Sequence, residues 1–212
     1  MRNNRLSGEI PPGLGNLTNL QVLDLDENML SGAIPSSLGL LSQLSELILG
    51  YNNLSGLIPP SVWNISSLTR FSVSQNMLSG TIPPNAFSTL PHLQVLCMDH
   101  NQFHGNIPTS IGNASDFWLV QLGATLLRGI VPPEIGRLTK LKFLILRNAF
   151  FEAKEPKDWE FLTTLTNCSQ LQIIGLSYCR LAGVLPDSIS NLSTSLTTLS
   201  FGHVQLNFRK PS

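Results

Sequence analysis

The stretches LTNLQVLDLDENMLSGAIP (residues 17–35) and LSQLSELILGYNNLSGLIP (residues 41–59) share one template, LxxLxxLxLxxNxLxGxIP. The asparagine of the template falls at Asn4, Asn28, Asn52, Asn76 and Asn101, and the same phase continues through Thr125, Ala149, Cys179 and Val204. Successive steps are 24 or 25 residues, except for one step of 30 between residues 149 and 179. About eight copies therefore keep one register, which indicates a repeat protein.

Each unit carries the alternation of a strand, because the two leucines of LxLxxN alternate with residues that face the other way. One unit cannot bury that apolar edge alone, so neighbouring units must stack into a parallel sheet. The glycine and proline of LSGxIP end the strand and disfavour a long helix. A leucine pattern with this period predicts an α/β leucine-rich-repeat solenoid, or horseshoe, with a parallel sheet on the concave face and a mostly irregular or 3₁₀ convex side.

The template asparagine is predicted to form a structural ladder. It stands where the strand bends away, and its amide can both donate to and accept from backbone groups that lack sheet partners. We expect this role at Asn4, Asn28, Asn52, Asn76 and Asn101. From residue 125 onwards the amide is replaced, so residues 1–110 are expected to be the better-ordered half.

Composition limits the classes of function. The chain has 38 leucines in 212 residues, only 12% charged residues and a formal net charge of zero. Nucleic-acid binding and polybasic membrane anchoring both need clustered positive charge, so neither is expected. No segment approaches the roughly 18 apolar residues of a membrane helix, and the first residues lack the apolar run of a signal peptide. The chain itself is therefore predicted not to insert into a membrane.

The segments LSGEIPPGLGNL (residues 6–17) and LSGTIP (residues 78–83) resemble the plant-specific class of leucine-rich repeat. The whole chain resembles the extracellular solenoid of plant leucine-rich-repeat receptor-like kinases. The segment KDWEFLTTLTNCSQLQ (residues 157–172) resembles the branch that contains immune receptors for bacterial patterns and bacterial blight. The resemblance implies a peptide or protein ligand, a co-receptor as a further partner, defence signalling, and a parental receptor on the extracellular face of the plasma membrane.

The expected domain organisation is a single solenoid over residues 1–212. It has 8 to 9 repeats and an insertion at residues 152–166. The family's cysteine-paired cap is not matched, so both ends are expected to be uncapped. Phe208 and Lys210 stand where the template has glycine and isoleucine, which is typical of a decayed edge. The segment Asp158 to Phe161 is expected to be a short helix or loop bulging from the solenoid, either as a tolerated insertion or as a protruding contact.

No catalytic, metal or cofactor site is predicted. Cys97, His100 and His104 have a metal-like spacing but do not obviously converge, and zinc needs four ligands. Asp99 and His100 are neighbours in a strand and should point to opposite sides. The kinase motifs of the resembled family are not found in these residues. Cys168 and Cys179 could form one disulfide, although two small buried thiols are favoured.

Six Asn-x-Ser/Thr sequons are candidate glycosylation sites: Asn16, Asn53, Asn64, Asn113, Asn167 and Asn191. Four of them lie twelve residues before a ladder position and Asn191 lies thirteen before, so they share one flank of the solenoid. Glycosylation in a secreted parent would use these positions. The alternative is that each sequon is a good turn before the strand, with asparagine bonding its own backbone.

The outward positions of the predicted strands are the candidate ligand-binding surface, because their side chains are free of packing. The surface is acidic at first and then becomes apolar and basic. Its predicted members are Asp24, Asp26, Glu46, Ile48, Arg70, Ser72, Asp99, Trp118, Gln121, Phe143 and Arg147. Trp118, Phe143 and Arg147 are the preferred anchors, since aromatic residues and arginine dominate many interfaces.

The sequence therefore favours a protein- or peptide-binding module of receptor type, with no enzymatic activity of its own. Two alternatives stay open: a soluble inhibitor-type leucine-rich-repeat protein, and a truncated receptor fragment without function.

Overall fold

The computed structural model describes residues 2 to 207, so Phe208 and Lys210 lie outside the described residues. Each repeat forms one turn of a solenoid, here called a rung, and contributes two short strands to two parallel sheets. Over residues 2 to 207 the concave sheet has eight strands: β2 (Val22–Asp24), β4 (Glu46–Ile48), β6 (Arg70–Ser72), β8 (Val95–Cys97), β10 (Leu119–Gln121), β12 (Phe143–Ile145), β14 (Ile173–Gly175) and β16 (Thr198–Ser200).

The second sheet follows the concave sheet within each rung. In the same described range it has nine strands: β1 (Ser7–Glu9), β3 (Met29–Ala33), β5 (Asn53–Leu57), β7 (Met77–Gly80), β9 (Gln102–Gly105), β11 (Leu126–Gly129), β13 (Phe150–Ala153), β15 (Arg180–Val184) and β17 (Gln205–Asn207). The sequence predicted only short extended pieces here, without their pairing.

Short helices complete the rungs on the convex side. The 3₁₀ helices are Pro12–Asn16, Ser36–Leu40, Val62–Asn64, Thr109–Asn113, Pro133–Arg137, Pro156–Trp159, Leu165–Asn167 and Asp187–Asn191. Two single-turn α-helices are α1 (Ala86–Thr89) and α2 (Glu160–Thr164). The predicted solenoid, with a parallel concave sheet and a mostly 3₁₀ convex side, is confirmed.

The register of the concave sheet places equivalent repeat positions side by side. Glu46 pairs with Val22 on one side and with Arg70 on the other, and the same offset continues through the sheet. Each repeat position therefore forms a column that runs across the rungs. A side chain's neighbours along a column are the equivalent residues of the adjacent repeats.

The core is one continuous cluster between the two sheets and the convex helices. The inward leucine and phenylalanine positions of the concave strands, such as Leu47, Phe71 and Leu96, are completely buried. Phe87 and Phe117 pack edge to face, with ring centroids 5.7 Å apart. Full burial of such a side chain stabilises the fold by roughly 1.5 to 3 kcal/mol. The apolar residues therefore determine which face of each strand packs into the core.

The asparagine column forms hydrogen bonds to the backbone. The Nδ2 atom of Asn52 donates to the carbonyl oxygens of Leu49 and Gly50 in its own rung and of Leu25 in the preceding rung, at 2.9 to 3.2 Å. Its Oδ1 accepts from the amide of Leu30 at 2.9 Å. Asn76 and Asn101 repeat this pattern one and two rungs later. One side chain thus connects the bends of adjacent rungs.

After Asn101 the asparagine of the column is replaced by other residues. Thr125 Oγ1 donates only to the carbonyl of Leu122 and accepts a long 3.4 Å contact from the amide of Leu127. Cys179 Sγ contacts the carbonyl oxygens of Leu146 and Ser177 at 3.4 and 3.8 Å. Ala149 has no side-chain polar group, so the later rungs lose the amide connection between bends.

The inserted residues pack against the solenoid. Trp159 is 1% exposed, and Phe161, Leu162 and Leu165 are also buried. The Trp159 ring stacks on Phe161 at 6.1 Å between centroids and meets Phe201 edge to face at 6.4 Å. The segment is helical, as expected, but it does not bulge away, because its apolar side chains extend the core on the convex side.

The three cysteines are free thiols. Cys168 and Cys179 are both buried, and burial raises the pKa of each thiol to about 11. They are therefore small protonated core residues at neutral pH, the favoured of the two interpretations. No helix within residues 2 to 207 is long and apolar enough to span a bilayer.

Candidate ligand-binding surface

The first and third residues of the concave strands stand on the concave face, and the middle residue is buried in β2 to β14, whereas Leu199 in the terminal strand β16 is 39% exposed. The third positions place Asp24, Ile48, Ser72 and Gln121 in one half-exposed column. The first positions place Glu46, Arg70 and Phe143 in the adjacent column. The sequence prediction did not include Val22, Leu119, Ile173 and Thr198, although the repeat alignment places them at these first positions.

The acidic end of the surface is largely paired within the molecule. Glu46 Oε2 lies 3.5 Å from Arg70 Nη1, and Asp26 Oδ2 lies 3.3 Å from Arg2 Nε. Asp26 is only 6% exposed. Its burial raises the pKa of the carboxyl group, and Arg2 opposes that shift. This end therefore offers few unpaired charges to a ligand.

Asp99 is also turned inward, with 5% exposure. Its carboxylate accepts a short hydrogen bond from Ser74 Oγ, and its Oδ2 lies 2.7 Å from His100 Nδ1. Asp26 and Asp99 were predicted to face a ligand, but both stand two residues beyond a strand, where the chain already bends and side chains turn back to the neighbouring rungs. Serine and histidine both contact the aspartate rather than each other, which is not the arrangement that activates a serine nucleophile.

Cys97, His100 and His104 do not form a shared site. Cys97 lies in β8 of the concave sheet and His104 in β9 of the second sheet. Burial raises the pKa of the Cys97 thiol to about 12, with Asp99 adding to the shift, so the thiolate form is disfavoured. Among residues 2 to 207, no group of three or more His, Cys, Asp or Glu side chains is placed to hold a metal ion.

The basic and aromatic end of the surface contains a hollow of about 640 Å³, here called the entrance hollow because it lies where strands β10, β12 and β14 begin. Its walls are Gln94, Asp116, Trp118, Lys140, Lys142, Phe143, Gln170 and Gln172. Trp118 and Phe143 meet edge to face, with centroids 6.2 Å apart and planes at 74°. Two of the three predicted anchors are therefore in contact and line one concavity.

The charges of the entrance hollow are unevenly satisfied. Lys140 Nζ lies 2.6 Å from Asp116 Oδ1, so this lysine is paired. Lys142 has no carboxylate within 4 Å among the residues that the structure describes.

The third anchor, Arg147, is exposed but lies two residues beyond the end of β12, at the opposite edge of the sheet. Arg147 therefore does not join the entrance hollow.

Most of the hollow's polar residues were not predicted from the sequence. Gln94, Trp118, Lys142 and Gln172 all stand seven residues before a ladder position. Asp116, Lys140 and Gln170 all stand nine before. The asparagine alignment could have placed these two columns side by side, because the register is constant. The prediction placed Trp118 and Lys142 at strand entrances, but it did not bring the entrance residues of neighbouring rungs together into one concavity.

The six sequons are all exposed. Asn16, Asn64, Asn113, Asn167 and Asn191 each end a 3₁₀ helix, whereas Asn53 begins β5. Five of the candidate glycosylation sites therefore share one flank, away from the outward face of the concave sheet. Their glycosylation stays a prediction.

Comparison with known proteins identifies the type of repeat. Two family models described as leucine-rich repeats match the chain, one over residues 42–103 and the other over residues 1–17, 19–41 and 170–192. The ranges 19–41 and 170–192 each contain one strand of the concave sheet and one strand of the second sheet. The chain is a leucine-rich-repeat solenoid. Its repeats are similar to those of plant receptor kinases.

A segment of 65 residues is 53% identical to the receptor kinase-like protein Xa21 of Oryza sativa subsp. japonica, and covers 31% of this chain and 6% of that protein. The solved structure of the plant peptide hormone receptor RGFR1 in complex with RGF2 is 34% identical, with a TM-score of 0.89, over 97% of this chain and 32% of that one. The Arabidopsis receptor kinase HAESA, solved with the peptide hormone IDA and the co-receptor SERK1, is 32% identical, with a TM-score of 0.87, over 98% of this chain and 33% of that one. The solenoid thus spans about a third of the receptor structures and a small part of the curated relative.

Proposed function

We propose that this solenoid is part of the ligand-sensing ectodomain of a plant receptor-like kinase and binds a peptide or protein along its concave face. The observation that carries the proposal is the entrance hollow, a concavity with an aromatic pair and an unpaired lysine. Such a site can hold an apolar side chain against Trp118 and Phe143, while Lys142 pairs with a ligand carboxylate. The glutamine side chains around it both donate and accept hydrogen bonds, which suits a peptide backbone.

The similarities support the class of ligand. Two receptors of the same fold were solved with peptide hormones, and one of them also with a co-receptor. We therefore infer a peptide ligand, with a co-receptor as a further partner, at the extracellular face of the plasma membrane. The similarity of residues 157–172 to the immune-receptor branch supports a role in defence signalling.

Selection of ligands tests the binding surface directly. Peptides selected on the wild-type solenoid from a random displayed library are expected to bind about tenfold or more weakly to Trp118→Ala and to Phe143→Ala. Tyr51→Ala is the matched control, because Tyr51 is an exposed aromatic residue outside the entrance hollow. An equal loss of affinity in Tyr51→Ala would contradict the proposal. So would selected peptides that bind Trp118→Ala and Phe143→Ala as tightly as the wild type.

The receptor context is tested by the transcript on both sides of this reading frame. A transmembrane helix and a kinase domain downstream, with a signal peptide and a cysteine-paired cap upstream, are expected. A signal peptide and capping cysteines followed by a stop codon would instead support a soluble inhibitor-type protein.

A further inference from the structure

A second candidate surface lies on the outward face of the second sheet, away from the entrance hollow. It comprises two adjoining hollows of about 500 Å³ each, which share Leu126, Phe150 and Arg180. We call this surface the lateral patch and define it by its rim residues His104, Leu126, Arg128, Phe150, Tyr178 and Arg180. Leu126 and Tyr178 are 48% and 57% exposed, so large apolar surfaces are left uncovered.

The lateral patch coincides with a change in the repeat. The serine of the LSG motif recurs at Ser7, Ser31, Ser55 and Ser79. The next three repeats carry His104, Arg128 and Glu152 at that position. Side chains in this column face outward and do not pack in the core, so the fold does not require the replacement of serine by charged residues. A local change of chemistry on an unchanged framework indicates a surface with its own role.

Two arginines of the lateral patch lack carboxylate partners. Neither Arg128 nor Arg180 has a carboxylate within 4 Å in the described part of the chain, and the nearby Glu152 lies 3.7 Å from Lys154 Nζ. The guanidinium carbon of Arg180 lies 4.5 Å from the centroid of the Phe150 ring. Arg128 is the direct neighbour of Phe150 across the sheet. The Arg180 guanidinium therefore lies against an apolar ring, Arg128 lines the same hollow as that ring, and both side chains keep donors for an anion.

The floor of the lateral patch is formed where the asparagine ladder ends. One hollow reaches Thr125, Ala149 and Cys179, whose side chains carry no amide group. Its wall includes Tyr178, which stacks on His203 with centroids 4.1 Å apart and planes at 18°. This hollow also contains Asn101 and Asn148 and is of mixed polarity, whereas the other hollow, around Leu126 and Phe150, is mainly apolar. The patch thus combines an apolar recess at Leu126 and Phe150 with two cations at its rim.

We propose that the lateral patch binds an acidic peptide segment of a partner protein, with glutamate or aspartate side chains on Arg128 and Arg180 and an apolar side chain in the recess. Charge complementarity selects this occupant, because the two arginines have no carboxylate partner among the described residues and the hollow around Leu126 and Phe150 is mainly apolar. Arg128 is level with Phe150 and Arg180 with Glu152, so the two arginines stand two strands and two residues apart, about 12 Å between their Cα atoms. Acidic residues two apart in an extended segment are about 7 Å apart, and their flexible side chains span the remaining distance. The expected motif is acidic–apolar–acidic.

A synthetic probe tests this assignment. The probe is fluorescein-labelled Gly-Glu-Leu-Glu-Phe-Gly amide, and its matched analogue replaces both glutamates by glutamine. Fluorescence anisotropy with the whole chain is expected to show saturable binding of the glutamate peptide and about tenfold weaker binding of the glutamine peptide. Arg128→Gln and Arg180→Gln are each expected to weaken the glutamate peptide by about fivefold or more. Raising the salt concentration should also weaken binding of the glutamate peptide to the wild-type chain, because salt screens the ion pairs.

Arg137→Gln is the control, because it removes the same charge from an exposed position at the end of a convex 3₁₀ helix. Absence of saturable binding, equal affinity for the two peptides, or an equal loss in Arg137→Gln would overturn the proposal. Loss of binding in Trp118→Ala, with Arg128→Gln and Arg180→Gln unaffected, would place the peptide on the concave face and also overturn it. The lateral patch and the entrance hollow are tested with separate variants. Failure of one proposal can therefore be told apart from failure of the other.

Discussion

At the scale of single residues, the asparagine of the repeat contributes more to the fold than its exposed neighbours. Asn52 makes hydrogen bonds to backbone groups of its own rung, the preceding rung and the start of the second sheet. Asp24, by contrast, lies at the outward end of β2 and accepts a hydrogen bond from the amide of Asp26. The sequence predicted the role of Asn52, because the asparagine recurs where a bending chain leaves backbone groups without partners.

Replacement of Asn52 by alanine is expected to destabilise the protein by about 1 to 3 kcal/mol, since buried backbone groups lose their partners. Asp24→Ala should cost less, because its carboxylate stands at a half-exposed position. Urea unfolding monitored by circular dichroism measures both free energies of unfolding. Equal losses would show that the amide does not serve the backbone in the way the contacts indicate.

Other single residues could not be placed from the pattern. Asp26 and Asp99 follow their strands at the same spacing as exposed Arg147, yet both are buried and paired. The repeat fixes where the Cα lies, but the orientation of the side chain depends on the partner in the adjacent rung. Arg2 and Ser74 supply such partners, and both stand at variable positions of the template.

At the scale of elements, the insertion shows where the repeat pattern stops being informative. The repeat that contains residues 152–166 is 30 residues long rather than 24 or 25, so the template does not describe its extra residues, and the sequence indicated a short helix but not its packing. The structure buries Trp159 and turns Asp158 back on the preceding backbone. Asp158 Oδ2 accepts from the amides of Lys154 and Glu155 at 2.9 and 3.0 Å, which fixes the start of the 3₁₀ helix.

These backbone hydrogen bonds lower the pKa of the Asp158 carboxyl group, the donor on Glu155 being the larger cause. Because the folded-state pKa lies below the ordinary value of about 3.9, the stabilisation is complete above roughly pH 4. It is lost as the pH falls through the folded-state pKa. Asp158→Asn should therefore lower the unfolding midpoint at pH 7, and the difference from wild type should shrink at about pH 2.5.

Thermal or urea unfolding at the two pH values checks this expectation. Glu160→Gln is the matched control, since Glu160 is an exposed acidic residue in the first turn of α2. A difference between wild type and Asp158→Asn that is the same at both pH values would contradict a role for the ionised carboxylate.

At the scale of the whole molecule, the period of the sequence predicted the solenoid and its parallel concave sheet. The pairing of the second sheet and the entrance hollow were not predicted. Both depend on residues from several rungs at once, and a single template describes one rung at a time. Aligning Trp118, Lys142 and Gln172 by their distance to the ladder brings them together, which shows that the information was present in the register.

The ladder also divides the molecule into two halves with different connections between rungs. Residues 1–110 contain the asparagine column, whereas the later rungs have Thr125, Ala149 and Cys179 in its place. Amide hydrogen exchange is therefore expected to be slower in residues 1–110 than in residues 120–212. Mass spectrometry of exchanged peptides measures this directly, and equal or greater protection of the later residues would contradict the expectation.

The cross-rung amide of Asn52 has a mechanical consequence. Tension applied between the two ends of a solenoid is carried from turn to turn, because each turn touches only its neighbours. Where an asparagine side chain reaches the preceding carbonyl, adjacent turns are held by an additional amide hydrogen bond, which the Ala149 side chain cannot form and which Cys179 replaces by a weaker thiol contact to Leu146. A stretched chain would therefore peel first from its later turns, and the early turns would remain coiled under the larger load.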